Sequence, residues 1–536
     1  MANVTPSESA SALRPFRHRT YAVIWTATVV SNIGGWMYSA AAAWLMTGLS
    51  SSALAVSLVQ VATTLPMLLV ALPAGALADI IDKRKFLIVV EIGIMVVSAL
   101  FATIVALQLV TPVSLLAFMF TISVGSALTA PSCQSVVPLL VPRADLPSAV
   151  AANSVGINIS RAVGPALSGL ITGAFGIAAP FWLDAFSNAG TIAALAWWRP
   201  AKRSVARVPA ERLGSAIRIG VRYARNNRPL RATLARAVAF FLFASAYWAL
   251  LPLVARTQIG GGPSLYGALL GAIGAGAVAG SLILPRLKSA LGPDRLVNGA
   301  TAATAIALVL FALSANAITA GIASVLAGAA WIAAVATLNV SAQIALPEWV
   351  RGRGLAVYVT VMFGALTAGS AVWGEIAQAS TLSLAHFLAA GGALLSIPLT
   401  WRTKLQAGAG LDLTPSMHWP TPMLASDLRH KPGPVLVTVE YHVATTNRDA
   451  FLSALEAVEA ERRRDGAYAW GVYEDSTQPG RLVETFLDES WLDHMRHHER
   501  VTKADAIAQE HAAQYLLRPA VVTHYVTAET ANAADA

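Results

Sequence analysis

Apolar and small residues recur along roughly the first 400 positions in runs close to the ~20 residues that a helix needs to cross the hydrocarbon core of a bilayer. The pattern predicts twelve membrane-spanning helices, at 20–46, 52–78, 86–108, 112–138, 149–173, 178–198, 235–255, 265–287, 295–313, 317–346, 354–379 and 382–401. Short polar stretches separate them, except for a longer insertion after the sixth. There "AERLGSAIRIGVRYARNNRPL" sets Leu213, Ile217 and Val221 at helical spacing among arginines, the pattern of a helix lying on an anionic membrane surface. Beyond Trp401 the pattern changes. A Gly- and Pro-rich stretch leads into alternation at "PVLVTVEYHV", a helical period at "RDAFLSALEAVEAERRR", two more strands, a second helix through "SWLDHMRHHERVTKADAIAQEHAAQYL" and a last strand at "AVVTHYVT". The predicted order is βαββαβ, a ferredoxin-like unit.

The expected organisation is a six-helix bundle over 1–198, a basic linker over 199–234, a second bundle over 235–402, a linker over 403–432, the α+β domain over 433–528 and a disordered tail over 529–536. Composition agrees with the membrane assignment, since 56% of residues are hydrophobic and only 12% charged, against roughly a quarter charged in soluble domains. Basic residues fall before the first span, in alternate loops and after the last, with Arg256 the one clear exception. That asymmetry puts both termini in the cytoplasm of a multi-pass inner-membrane protein. The N-terminal residues are polar and the first apolar run is too long for a cleaved leader, so none is expected. From Pro434 onward nine basic residues stand against seventeen acidic ones, while the preceding chain has 29 against 12. The acidic tail is thus complementary to the basic loops.

An arginine interrupts the fifth span at "SRAVGPALSG". Ser154, Asn158 and Arg161 share a helix face. Pro165 removes the donor that would meet the carbonyl of Arg161, so the helix is weakened at the height of the charge. Gly156, Ser160, Gly164 and Ser168 form a stripe that permits close packing. A guanidinium within a bilayer must face protein, water or an acid, and acids within the spans away from their cytoplasmic ends are few: Glu91, Asp184 and Glu375. At about 1.5 Å per residue Arg161 and Asp184 are level, near 20 Å from the cytoplasmic end, whereas Glu91 is about 8 Å up its helix and Glu375 near the outer surface. The expectation is an Arg161–Asp184 pair that controls coupling, with Glu91 as a further coupling candidate.

The stretch "GALADIIDKRK", Gly75 to Lys85, resembles the signature loop of the major facilitator superfamily, although Ile80 replaces its usual arginine and Asp82 stands near its second glycine. "RAVGPALSG" is similar to the glycine-proline motif of the superfamily's antiporters. With "SNIGGWM", "GSALTAPSCQSVVPLLVP" and "VRGRGLAVY", the chain over 14–402 resembles the subgroup of the enterobactin exporter and related drug efflux proteins. The C-terminal domain resembles antibiotic-biosynthesis monooxygenase-type dimeric α+β barrels. The resemblance implies a gate built on Gly75, Asp79, Asp82, Lys83 and Arg84, with Asp79 meeting the start of the eleventh span near Gly354, and a packing motif at Gly164, Pro165 and Gly169. It also implies a central cavity, for which Asn32, Trp36, Gln134, Phe240, Tyr247, Trp248, Trp331 and Asn339 are the candidates.

Other chemistry is weakly supported. "GAIGAGAVAG" lacks a preceding strand and reads as helix packing, and no GxxxxGK[ST] loop supports ATP-driven transport. His494, His497 and His498 share a helix face without an accompanying carboxylate or cysteine pattern, so they read as a solvated or interface face, and neither metal nor cofactor is expected. The sequence thus predicts a proton-coupled exporter of small, partly apolar molecules such as siderophores or drugs. Its partners are the substrate, protons and lipid, without nucleic acid, and its C-terminal domain is placed to dimerise. The alternatives are an importer or uniporter of the same fold, or an enzyme tethered to the membrane through the C-terminal domain.

Overall fold

The computed structural model describes residues 13–80, 82–199, 213–406, 412–416, 419 and 433–527; the side chains of 72, 75–80 and 213–217 fall outside the described residues. Helices α1 (Arg19–Leu49), α2 (Ala53–Ile80), α3 (Lys83–Ala106), α4 (Pro112–Leu140), α5 (Leu146–Phe175) and α6 (Ala179–Trp197) form the first half. After α7 (Leu213–Asn226) come α8 (Arg228–Leu253), α9 (Pro263–Ala312), α10 (Ala317–Ile344), α11 (Arg351–Ala379) and α12 (Leu382–Leu399). Among the described residues eight helical stretches, on α2, α3, α4 and α8 to α12, are long and apolar enough to cross a membrane. The polar residues of α5, Asn153, Ser154, Asn158, Ser160 and Arg161 among them, set it apart from those eight.

Local chemistry fixes the helix ends. Thr111 and Ser114 form a capping box at the start of α4, with Pro112 in its first turn. Helix α5 stops at Gly176, whose φ of 86° favours glycine. The predicted spans 265–287 and 295–313 are two arms of α9, which turns at Gly292, φ 71°, ahead of Pro293. Arg236 on α8 pins that turn. Its buried guanidinium meets Asp294 at 3.0 Å and donates to Asn298 Oδ1 and the carbonyl of Thr403. The sequence reading overlooked this pair, although Asp294 is one of the few acids of the membrane half.

The described residues fall into two compact units. The first draws on Met1–Leu213, Leu234–Asn339 and Tyr358–Lys404, the second on Gly214–Thr233, Val340–Val357 and Leu405–Ala536. The apolar surface of the first unit is wide: Val113, Leu282, Leu395 and Leu399 are each more than 60% exposed. In water such exposure would be a liability; in a bilayer it is the lipid contact.

The second unit holds a four-stranded antiparallel sheet in the order β2-β3-β1-β4, with β1 (Val435–His442), β2 (Tyr468–Glu474), β3 (Arg481–Asp488) and β4 (Val521–Val526). Helices α13 (Arg448–Asp465), α14 (Trp491–Arg500) and α15 (Lys503–Ala513) complete it. The predicted second helix is broken in two, because Thr502 and Asp505 form a capping box that starts α15. Residues assigned to the linker also take part: Pro415 bridges to Thr502, and Ser416 N donates to the carbonyl of Val501. The tail at 529–536 lies outside the described residues. Alternation along β1 buries Val435, Val437, Val439 and Tyr441 against Phe451, Leu455 and Phe486.

Helix α7 is covered by the same unit. Tyr223 meets Trp349 edge-on at 5.7 Å and lies under Arg464, while Arg500 stacks on Trp349 at 4.5 Å and donates to the carbonyl of Asp465. Arg222 reaches the carbonyl of Gly466. The arginines of this segment therefore include protein partners, beyond any role in topology.

A buried ionic network lies between sheet and helices. Glu484 accepts from Tyr441, Trp470 and Arg462, and Gln509 donates to Glu461. Burial, opposed by Arg462, pushes the Glu461 carboxyl up to about 7. A carboxyl raised in the folded state stabilises the fold fully below its unfolded pKa of about 4.5 and loses that contribution as pH rises through about 7. Glu461→Gln is therefore expected to stabilise the second unit by about 3 kcal/mol near pH 8, and by nothing near pH 4.5. Urea unfolding read by hydrogen exchange of the β1 and β3 amides checks this, and a gain independent of pH would refute it.

Candidate functional site

Helix α5 is packed on α1 and on the first arm of α9. Along α1 the contact is a ladder of side chains bonded to carbonyls: Tyr21 to Ala149, Trp25 to Ala152, Ser160 to Val29 and Ser168 to Met37, at 2.9 to 3.2 Å. Gly164 lies against Ile33 and Trp36 of α1. On the opposite side Gly169 meets the backbone of Pro263 and Gly267, and a β-carbon on Gly267 would stand 2.8 Å from Gly169 Cα and from the carbonyl of Pro165. The glycine-proline motif thus joins α5 to α9 through backbone contact that small residues alone permit.

Further contacts close the end of the bundle at which α1 and α8 finish. Arg256 donates to Thr47 and stacks on Trp44, and Trp44 stacks on Tyr266. Gln378 accepts from the backbone of Ala53 and Gly374 lies against Ser57, while farther along α2 and α11 Thr64 bonds Thr367 at 2.8 Å. Arg256, the exception to the charge asymmetry, is thereby accounted for by a contact between halves.

Arg161 sits at the centre of the α5 seam, and its expected partner is not Asp184. The guanidinium carbon lies 5.3 Å from the Trp36 ring centre and within electrostatic reach of Tyr247 on α8. No ion pair joins it to a carboxylate among the described residues. Asp184 instead accepts from Ser98 Oγ of α3 at 2.5 Å, and Gly34 of α1 packs against it. Its helix-mates follow: Asn188 accepts from Ser31, and Thr191 donates to the carbonyl of Ala27. Height along the helices put Arg161 and Asp184 level, but height says nothing of azimuth. Helix α6 turns its polar face to α1 and α3, and α5 turns its charge toward Trp36 and α8.

Glu91 is buried at a small cavity of about 50 Å³ shared with Tyr21, Trp25, Cys133, Asn153 and Thr191. Of the cavity candidates, Trp248 and Trp331 meet at 5.4 Å, Tyr247 and Trp248 at 5.7 Å, and Phe240 packs on Trp331. Trp36 and Tyr247 flank Arg161, and Tyr247 continues into the cluster of Trp248, Trp331 and Phe240. Arg161 Nε and Trp331 Nε1 are buried without a hydrogen-bond partner in the protein. Asn32 is half-buried, while Gln134 and Asn339 are exposed.

The signature loop is only partly described. The side chains of Gly75 and Asp79 lie outside the described residues. Asp82 is the N-cap of α3, accepting from Lys85 N, and Lys83 opens that helix. Arg84 donates to the carbonyls of Leu195 and Ala196, the C-terminal end of α6, where a cation is favoured.

The family described as transmembrane secretion effector matches residues 10–532, and the chain belongs to this family of major facilitator transporters. The match runs through the C-terminal α+β unit as well as the helices. The chain is 22% identical over 262 residues to the staphyloferrin A transporter of Staphylococcus aureus, covering 48% of this chain and 65% of that one. It is 30% identical over 158 residues to YfiS, an uncharacterised MFS-type transporter of Bacillus subtilis, covering 29% and 36%. It thus spans just under two thirds of the first relative and about a third of the second. Among solved structures, a POT family transporter superposes with a TM-score of 0.60 at 13% identity, over 72% of this chain and 95% of that one. These relatives are transporters and not enzymes.

Proposed function

We propose that the protein is a twelve-helix secondary exporter, a proton antiporter, that carries small, partly apolar molecules bearing acceptor groups out across the cytoplasmic membrane. The observation that carries this reading is the buried charge of Arg161, stacked on Trp36 and within reach of the aromatic cluster through Tyr247, beneath an end of the bundle held by contacts of Arg256 with Thr47 and Trp44. An apolar body fits the indole and phenyl walls, and a carboxylate or catecholate-like acceptor fits Arg161. Siderophores and many drugs combine those features, and the staphyloferrin A relative supports the siderophore class.

Counting α9 as two arms, and α1, α5 and α6 as spans, gives the twelve crossings, with both termini cytoplasmic. In this reading the closed end faces outward and the remaining cavity residues, Asn32, Phe240, Gln134 and Asn339, line the cytoplasmic approach. Asp184 and Glu91 are the coupling residues, while Arg161, expected from the sequence to share that role, holds the substrate's acceptor group. Gly75, Asp79, Asp82, Lys83 and Arg84 form the cytoplasmic gate that closes in the alternate state, while Gly164, Pro165 and Gly169 hold the outer one. The α+β domain is a ferredoxin-like accessory domain through which two copies pair.

Reconstitution into proteoliposomes tests the reading. An imposed proton gradient is expected to accelerate counter-flow of a carboxylated amphiphilic dye, and Asp184→Asn to abolish that acceleration while leaving dye binding intact. Transport indifferent to the gradient, or a gradient response that survives Asp184→Asn, would refute antiport through this residue and favour a uniporter.

A further inference from the structure

We propose that His494, His498 and His524 of the second unit form a binding site for one divalent transition-metal ion of the zinc type. His494 and His498 stand at i and i+4 on α14, one face of one helix. His524 comes from β4, twenty-six residues beyond His498 in the chain, and the fold brings it against them. One ring nitrogen from each of the three lies within 4.8 Å of the others. The Nε2 atoms of His494 and His498 are 3.1 Å apart. Two imidazoles at the ~2.0–2.1 Å of a tetrahedral zinc–nitrogen bond place their nitrogens about 3.3 Å apart, so this pair is within about 0.2 Å of the bite of a metal site.

The surroundings complete the pattern. His494 Nδ1 bonds Asp488 Oδ2 at 2.8 Å, and both side chains are almost fully buried. That bond fixes the tautomer and turns the Nε2 lone pair toward His498 and His524, the arrangement by which carboxylates orient ligating histidines. Trp491 packs on His494 and His524, and Trp419 on His498. His498 and His524 keep partial exposure, which provides an entry path. Three imidazoles leave one position open in a tetrahedral sphere and select a borderline ion such as Zn2+, Co2+ or Ni2+ over hard cations.

His497 does not belong to the set, although it shares the helix. It is fully buried against Phe486, with Nδ1 3.5 Å from Asp488. The buried acids Glu461, Asp465 and Asp505 are a weaker candidate, since Arg464 pairs with Asp465 and Asp505 and Arg462 lies beside Glu461.

Full-length protein carrying no polyhistidine tag, purified in detergent and stripped with a chelator, is titrated with zinc chloride and separately with cobalt chloride. The expected result is one Zn2+ retained per chain and the visible d–d bands of tetrahedral Co2+. His498→Gln and His524→Gln each weaken binding by more than about 100-fold, whereas Asp488→Asn, which removes only the orienting partner, weakens it by about 10- to 100-fold. His511→Gln, on α15 and outside the set, leaves binding unchanged. No retained ion in the unaltered protein overturns the proposal, as does equal affinity in the variant with all three histidines replaced.

Discussion

Gly267→Leu is expected to abolish transport while leaving the second unit folded. A β-carbon at 267 would stand 2.8 Å from Gly169 Cα and from the carbonyl of Pro165, and these are backbone atoms with no rotamer to yield. The α5 and α9 backbones must separate, and with them the contact that closes one end of the bundle. Overpacking of this kind costs about 1–3 kcal/mol, and because it falls on one state of a two-state transporter it shifts the equilibrium away from closure by about 5- to 150-fold. Gly271→Leu is the graded control, since its β-carbon would meet the β-carbon of Ala166 at 3.3 Å, and a side chain there yields more easily than backbone. Crosslinking of cysteines at positions 47 and 256 reads the closure directly. Undiminished crosslinking and transport in Gly267→Leu would show that the seam is not part of the cycle.

That seam was legible in the sequence because its signal is local. A stripe of small residues at helical spacing, a proline and a charge at one height can all be read from "SRAVGPALSG". The apolar runs were legible for the same reason, and so was the alternation that set the register of β1 on β3. What the sequence could not supply was direction around a helix axis and proximity between distant segments. Asp184 shares its face with Asn188 and Thr191, as helical periodicity requires, yet nothing in one sequence tells whether that face meets α5 or α3. His524 is one exposed-looking residue in an alternating strand, and its approach to His494 exists only once β4 pairs with β1. Arg236 and Asp294 are 58 positions apart and meet because Gly292 turns the chain. Where a partner lies within one turn of helix or across one tight turn, the pattern predicts it. Where it lies across the bundle, the packing decides.

The same distinction sets the outcome of substitutions at Arg161 and Asp184. Arg161→Ala is expected to lower transport by about 10- to 100-fold, since it removes the cation beside Trp36 and Tyr247, and a hydrogen bond to a charged group contributes about 1.5–3 kcal/mol. Much of the loss should appear as weakened substrate affinity, because the group faces the aromatic walls. Asp184→Asn removes the carboxylate held by Ser98 and should act on the gradient dependence instead. Were the two side chains a buried pair, removing both would be milder than removing either, because the penalty of a broken pair lies mainly in the charge left behind. They have no partner in common: Arg161 rests on Trp36 and Asp184 on Ser98. The double variant should therefore lose close to the sum of the two single losses, with a coupling energy below about 0.5 kcal/mol. Flux measured for the four proteins at one substrate concentration and one gradient closes the cycle. A coupling of several-fold or more, with the double variant recovering activity, would mean that Arg161 swings to Asp184 during transport and that the pair forms in a state other than this one.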